Sequence, residues 1–229
     1  MSKIPVIAVD GPSGTGKGTV CCYFARALKW HLLDSGALYR VLAFAANQQG
    51  LVLDAEAKLA ELAESLQLKF EIDNDLGGLA VILDDIDVSA QIRTEECGSA
   101  ASILAALPEV RKSLLHRQRK FRQKPGLIAD GRDMGTVVFP EAELKIFLTA
   151  SAAERALRRY KQLKEKGISV NLRGLSSDIA ERDKRDKERL VSPLKPAEDA
   201  IVIDTTEDDI NTVISQISGL VESRFKVVT

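Results

Sequence analysis

Gly11-Pro12-Ser13-Gly14-Thr15-Gly16-Lys17-Gly18-Thr19 lies between an apolar run and an unbroken helical stretch, and it limits what the chain can fold into. Before it, Ile4 to Asp10 reads as a short buried strand rich in β-branched side chains. After it, Val20 to Leu28 has helical spacing and no breaker. Strand, glycine-rich turn and helix are the context a phosphate-binding loop requires. Glycines let backbone N–H groups converge on one point, because no Cβ blocks the unusual dihedrals. Those donors and the positive helix end hold polyphosphate, and Lys17 reaches its outer oxygens. Gly18 stands where the strict P-loop pattern has Ser or Thr, so Thr19, one residue on, is the candidate hydroxyl for Mg²⁺.

A second informative stretch is Leu127-Ile128-Ala129-Asp130-Gly131-Arg132-Asp133. An apolar run ending in aspartate places Asp130 near Mg²⁺ at a strand's carboxyl end. Gly131 then allows a sharp turn that presents Arg132 and Asp133. His31 to Leu33 reads as another strand, followed by a helix to about Gln49 that Asp34 or Ser35 can cap. Arg40 lies near the start of that helix, so the stretch offers a second anion site, or a cap beside a solvated arginine.

Asp54 to Leu66 reads as an amphipathic helix with Leu59, Leu62, Ala63 and Leu66 on one face. The period then changes. Leu68 to Ile72 alternates, Asn74 to Gly78 has turn chemistry, Leu79 to Leu83 is apolar, and Asp84 to Val88 gives a second turn. A small antiparallel meander inserted into a β/α chain is expected. Arg93 to Leu107 and Pro108 to Gln123 read as helices split by Pro108, the second basic and mostly a solvated face. Leu144 to Thr149 is a strand, Ala152 to Lys166 a helix, Leu175 to about Leu190 a helix, Ile201 to Asp204 a strand and Asp208 to Phe225 a closing helix.

Arg155, Arg158 and Arg159 share one helical face, and Arg182, Arg185, Asp186 and Arg189 fall within about a third of the next helix's circumference. Either set alone reads as surface ion pairs. Two such helices after the last strand with catalytic character point to a lid over phosphates.

Thirty-two basic residues against 33 acidic ones leave a net charge of −1, so general adhesion to nucleic acid or membrane is not implied. Arginine-rich local patches suit an anionic substrate instead. Three cysteines, two of them adjacent, suggest neither a disulfide framework nor a metal site. The N-terminus has no signal-peptide pattern and no uncharged apolar stretch reaches ~18 residues, so a cytoplasmic location is expected.

Arginines 40, 132, 182 and 189 lie well away from the P-loop, and no convincing general base accompanies them; His31 and His116 are poor candidates. Two polyphosphates meeting head to head need fixed cations to cancel their repulsion, a task suited to the planar, permanently charged guanidinium. A phosphate-ester acceptor has a second pKa of about 6 and needs neutralisation rather than proton abstraction. A hydroxyl acceptor would need a carboxylate base.

The G-K-G-T ending is typical of nucleoside monophosphate kinases. Residues 11–19, Leu33-Asp34-Ser35-Gly36-Ala37-Leu38-Tyr39-Arg40, residues 129–140 and Arg182 to Arg189 together resemble bacterial cytidylate kinases, as does Pro193-Leu194-x-Pro196-Ala197. The resemblance runs essentially the whole length, with small departures at Thr15 and Ser192. It implies transfer from ATP to CMP or dCMP with Mg²⁺, by a monomer. The implied fold is α/β: a P-loop core with a central parallel sheet flanked by helices, a small antiparallel β insertion and a helical lid. The chain is then one domain, with core at about 1–35, 125–150 and 191–229, a monophosphate-binding region at about 36–124 and a lid at about 151–190.

By the same resemblance, residues 11 to 19 bind ATP. Ser35, Arg40, Arg132 and Arg189 hold the acceptor phosphate; Ser102, Arg111 and Asp133 read the cytosine edge; Arg182 and Asp186 lie near the ribose. Lys17, Arg132, Arg182 and Arg189 are the catalytic cations, and Arg155, Arg158 and Arg159 belong to the lid. Cytosine's amino group suits a carboxylate acceptor, and its O2 and N3 suit arginine or a hydroxyl. The competing expectations are a P-loop kinase for UMP, AMP or a hydroxyl substrate such as shikimate, and a nucleic-acid-binding P-loop protein using the basic helix.

Overall fold

The computed structural model describes residues 3–72, 79–165 and 167–226. Its centre is a five-stranded parallel sheet in the order β2-β6-β1-β7-β8, from β1 (Val6–Asp10), β2 (His31–Asp34), β6 (Leu127–Gly131), β7 (Leu144–Thr149) and β8 (Ile201–Asp204). β1 and β6 are buried at every position, as parallel strands covered on both faces must be. Within β1 the two-residue period sorts the side chains. Ile7 and Val9 enter the larger apolar cluster, and Val6 and Ala8 join Leu33, Leu127, Ala129 and Phe139 on the other face.

The P-loop joins β1 to α1 (Lys17–Leu28), and the other helices are α2 (Ser35–Gln48), α3 (Glu56–Ser65), α4 (Glu95–Leu104), α5 (Pro108–Lys120), α6 (Ala152–Glu165), α7 (Leu172–Glu188) and α8 (Ile210–Phe225). Pairing in register sets Asp10 beside Gly131 and Asp34 beside Asp130, so the carboxyl ends of β1, β2 and β6 form one row. The inserted meander is a separate antiparallel sheet, β3 (Leu68–Ile72), β4 (Leu79–Leu83) and β5 (Ile86–Asp87), with Phe70 opposite Val81. The expected turn at 74–78, and Lys166 at the expected end of the lid helix, lie outside the described residues.

Capping chemistry moved several boundaries. The Thr94 hydroxyl accepts from the Cys97 N–H and starts α4 at Glu95, after a 3-10 turn at Gln91–Arg93. The Asn171 side chain accepts from the Arg173 N–H, so α7 begins at Leu172 rather than Leu175. A π-helical turn over Met134–Val138, after β6, has no counterpart in the sequence reading.

The face of α5 also differs from expectation. Lys112 and Lys120 are exposed, but Arg117 donates to the carbonyls of Glu64 and Leu66, Arg119 to those of Val137 and Val138, and Arg122 to that of Ile4 and to Glu141. These guanidinium groups cap carbonyls left open at element ends and pin α5 to α3, the π-turn and the start of β1.

Candidate active site

The loop's shape follows from its glycines. Gly11 (φ 143°) approaches so closely that a Cβ would run into the Leu148 carbonyl, and Gly16 (φ 89°) turns left-handed to start α1. The first turn of α1 carries no acidic residue, so its positive end is uncompensated by the chain itself. Lys17 is 6% exposed and donates from Nζ to the Pro12 carbonyl at 2.6 Å. Burial, and then the nearby Arg132 charge, push its ammonium down to about 8. Thr15 Oγ1 donates to the same carbonyl at 3.1 Å.

A cleft of about 610 Å³ opens over this loop. Ser13, Gly14, Gly16, Lys17, Gly18, Thr19 and Asp130 line it together with Arg40, Arg132, Arg155, Arg158, Arg159 and Arg182. Asp130 is buried beside the loop, a Cβ on Gly18 lying 3.8 Å from its Oδ2. Its carboxyl is raised by burial, which Lys17 partly offsets. A larger groove of about 850 Å³ between α3 and α5, lined by Glu109, Lys112, His116 and Lys120 among others, contains none of the candidate site residues.

A partly buried polar network continues from the cleft. Arg132 Nε donates to Asp186 Oδ2 at 2.9 Å, joining the turn after β6 to α7. Burial opposes the ionised form of Asp186, but Arg132 and Arg182 more than offset it and hold the carboxyl below its usual range. Arg182 is pushed down to about 10 by burial and by the Arg132 and Arg40 charges. Arg40 donates to the Ile92 and Thr94 carbonyls at 2.7 and 3.0 Å, and Ser35 is buried at the start of α2, where Asp34 is the cap.

Arg111 forms an ion pair with Asp133 and also donates to Tyr39 Oη at 3.3 Å and the Ala105 carbonyl at 3.2 Å. Arg189 donates to the Ser192 carbonyl, and its Nη2 stands 3.9 Å from Asp133 Oδ1. Seven buried side-chain polar atoms among the described residues have no hydrogen-bond partner; four belong to candidate ligand-binding residues (Ser102 Oγ, Arg111 Nε, Arg182 Nε and Arg189 Nη2), and the others are on Gln118, Thr136 and Arg185. Buried polar groups are normally satisfied, so four orphans on candidate ligand-binding residues fit a polar, anionic occupant.

The three arginines assigned to the lid are all tied down. Arg155 bridges the Ala150 and Ser13 carbonyls and the Asp183 carboxylate. Arg158 holds Glu154 and the Thr205 carbonyl, and Arg159 pairs with Glu95 on α4.

Sequence reasoning missed Asp10 and Tyr39. Asp10 ends β1 and accepts the N–H groups of Met134 and Gly135 at 2.8 Å each. Burial pushes its carboxyl up to about 6, against the lowering effect of those two bonds. An aspartate at a strand's carboxyl end was the available signal.

The cytidylate kinase family model matches residues 7–223. Among curated relatives, a cytidylate kinase of Aeromonas hydrophila is 59% identical over 96% of this chain and 95% of its own length. One from Nitrosococcus oceani is 59% identical over 95% and 96%, and one from Stutzerimonas stutzeri 57% over 98% and 98%. The fold recurs at 12% identity, with a TM-score of 0.51, in the crystal structure of an uncharacterized protein from Eubacterium ventriosum, covering 97% of this chain and 100% of that one. With a match across nearly the whole sequence and a P-loop that shares its cleft with a set of arginines, the chain belongs to the cytidylate kinase family.

Proposed function

We infer that the protein transfers the γ-phosphoryl group of ATP to CMP and dCMP, giving CDP and dCDP. The observation that carries this is one cleft lined by Lys17 and the P-loop together with Arg40, Arg132 and Arg182. Fixed cations from separate elements around one cleft let two anions meet with their repulsion cancelled.

The P-loop N–H groups and Lys17 hold the donor phosphates. Ser35, Arg40, Arg132 and Arg189 take the acceptor phosphate, with Arg182 and Asp186 near the ribose. Ser102, Arg111 and Asp133 read the base. Cytosine gives its amino group to Asp133, whereas uracil sets a carbonyl against that charge. The Asp133 carboxylate is 4% exposed, so the mismatch is not relieved by water.

Mg²⁺ fits the oxygen donors beside the loop, the Thr19 hydroxyl and the Asp130 carboxylate. When bound it neutralises charge on the transferring phosphates. Among the described residues no cluster of three His, Cys, Asp or Glu forms a metal cage, in keeping with an ion carried largely by nucleotide phosphates. Among the described residues no helix is long and apolar enough to cross a membrane. We place the protein in the cytoplasm as a monomer whose partners are nucleotides rather than nucleic acid. The core, monophosphate-binding and lid boundaries given above describe its working parts.

A panel of CMP, dCMP, UMP, AMP and a hydroxyl acceptor, each with ATP and Mg²⁺, tests this reading. CMP and dCMP should be turned over best. Turnover of CMP no better than AMP would remove the base assignment.

A further inference from the structure

We propose that Asp10 is a positioning residue for pyrimidine discrimination: it caps, from a neighbouring strand, the π-helical turn that Asp133 begins, and so leaves the Asp133 carboxylate free to face the base. The inference rests on the proposed role of Asp133 as base reader.

A residue that starts a helical turn commonly folds its own side chain back onto the first free N–H groups. In this chain Asp34, Thr94, Asn171 and Asp209 all do so, accepting from Ala37, Cys97, Arg173 and Thr212. Asp133 occupies the same position before Met134–Val138 and has the same chemistry, yet its side chain makes no such bond. Its carboxylate pairs with Arg111 and faces Arg189 instead.

The N–H groups it leaves are taken over by Asp10. Oδ1 accepts from Met134 and Oδ2 from Gly135, each at 2.8 Å, with Asp10 only 5% exposed. The turn's own backbone bonds, Val137 and Val138 N–H to the Asp133 carbonyl, do not use these two donors. Gly135 is closely packed here: a Cβ on it would stand 3.1 Å from Lys145 Cδ and 3.4 Å from Asp10 Oδ2. One carboxylate thus substitutes for another, and the substitution leaves Asp133 available for recognition.

Asp10→Asn keeps the size but sets an NH₂ against one of the two N–H donors. Steady-state kinetics should show the CMP-over-UMP ratio of kcat/KM falling by about tenfold, with the KM for ATP within about twofold of the parent. Asp133→Ala is measured in parallel. If it lowers the ratio and Asp10→Asn does not, the positioning inference fails while the base reading stands; if neither lowers it, both fail. Equal losses for CMP, UMP and ATP would reduce Asp10 to a purely structural residue and overturn the proposal. Hydrogen exchange on the unaltered protein gives a check that does not depend on a variant folding. The Met134 and Gly135 amides should be strongly protected, and exchange as fast as an exposed loop amide would overturn the cap.

Discussion

Arg155 Nη1, on α6, stands 3.1 Å from the Ser13 carbonyl oxygen in the middle of the P-loop. The same guanidinium is bidentate to Asp183 on α7 and is 3% exposed, so one side chain fastens α6 and α7 to the P-loop. The long hydrocarbon stem also packs against Gly14, where a Cβ would come within 3.0 Å of Arg155 Cβ. Arg155→Met should therefore do two things. It strands the Asp183 carboxylate and a loop carbonyl, costing about 3 kcal/mol in urea denaturation. It should also raise the KM for ATP more than that for CMP; the reverse order would show that the loop keeps its shape without the clasp.

Lys17 is the residue proposed to hold the donor phosphates. Its ammonium is held against the Pro12 carbonyl, a contact worth little beside the charge it presents to phosphate. Lys17→Ala should lower kcat by about a hundredfold or more while the circular dichroism spectrum stays that of the parent. Turnover within a few-fold of the parent would contradict the assigned donor site.

Gly98 offers a sharper test of the acceptor side. A Cβ there would lie 2.6 Å from Arg40 Nη2 and 3.0 Å from Cζ, so the arginine's far end must move aside. Alanine in a helix interior is favoured over glycine by up to about 1 kcal/mol, which offsets part of the cost of loosening Arg40 from the Ile92 and Thr94 carbonyls, so Gly98→Ala should lower the melting temperature only slightly. The KM for CMP should nevertheless rise about fivefold or more, with ATP unaffected, because a misplaced guanidinium loses a charge-assisted bond to phosphate. An unaltered KM for CMP would remove Arg40 from the acceptor site.

The buried carboxylate of Asp10 also makes a pH prediction. Its pKa is raised to about 6 from an ordinary 3.8, so between these values the folded protein binds more protons than the unfolded chain. Stability from this group is present at acid pH and declines as pH rises through about 6. Asparagine has no such titration. Relative to the parent, Asp10→Asn should thus fare better at pH 7 than at pH 4.5, by about 1–3 kcal/mol in denaturant titrations. A constant difference between the two pH values would show that Asp10 does not titrate in this window.

Much of this was legible along the chain because it depends on neighbours in sequence. Gly11 to Thr19 between an apolar strand and a helix can form little but a phosphate cradle, and the alternation in Val6 to Asp10 assigns each side chain to its face of the sheet. Asp-Gly-Arg-Asp at the end of β6 likewise announces groups presented at a sheet edge. The resemblance at residues 33–40, 129–140 and 182–189 carried the remaining site assignments.

What a guanidinium does could not be settled in this way. The spacing of Arg117, Arg119 and Arg122 suggested a solvated face, yet all three cap carbonyls distant in sequence. Arg155 was grouped with lid arginines by its helical face, yet its partners are Ser13 and Asp183. The cap on Met134 and Gly135 comes from Asp10, more than a hundred residues upstream, and no local window connects the two. Sequence alone determined the phosphate loop, the strand-and-helix order and the supply of arginines, since backbone dihedrals and hydrophobic period are local properties. Only the tertiary structure decided which cations line the cleft, which hold the frame and which carboxylate caps the turn at Met134–Val138. A long side chain takes whatever acceptor the folded neighbours bring within reach, and that is fixed only when the strands and helices are in place.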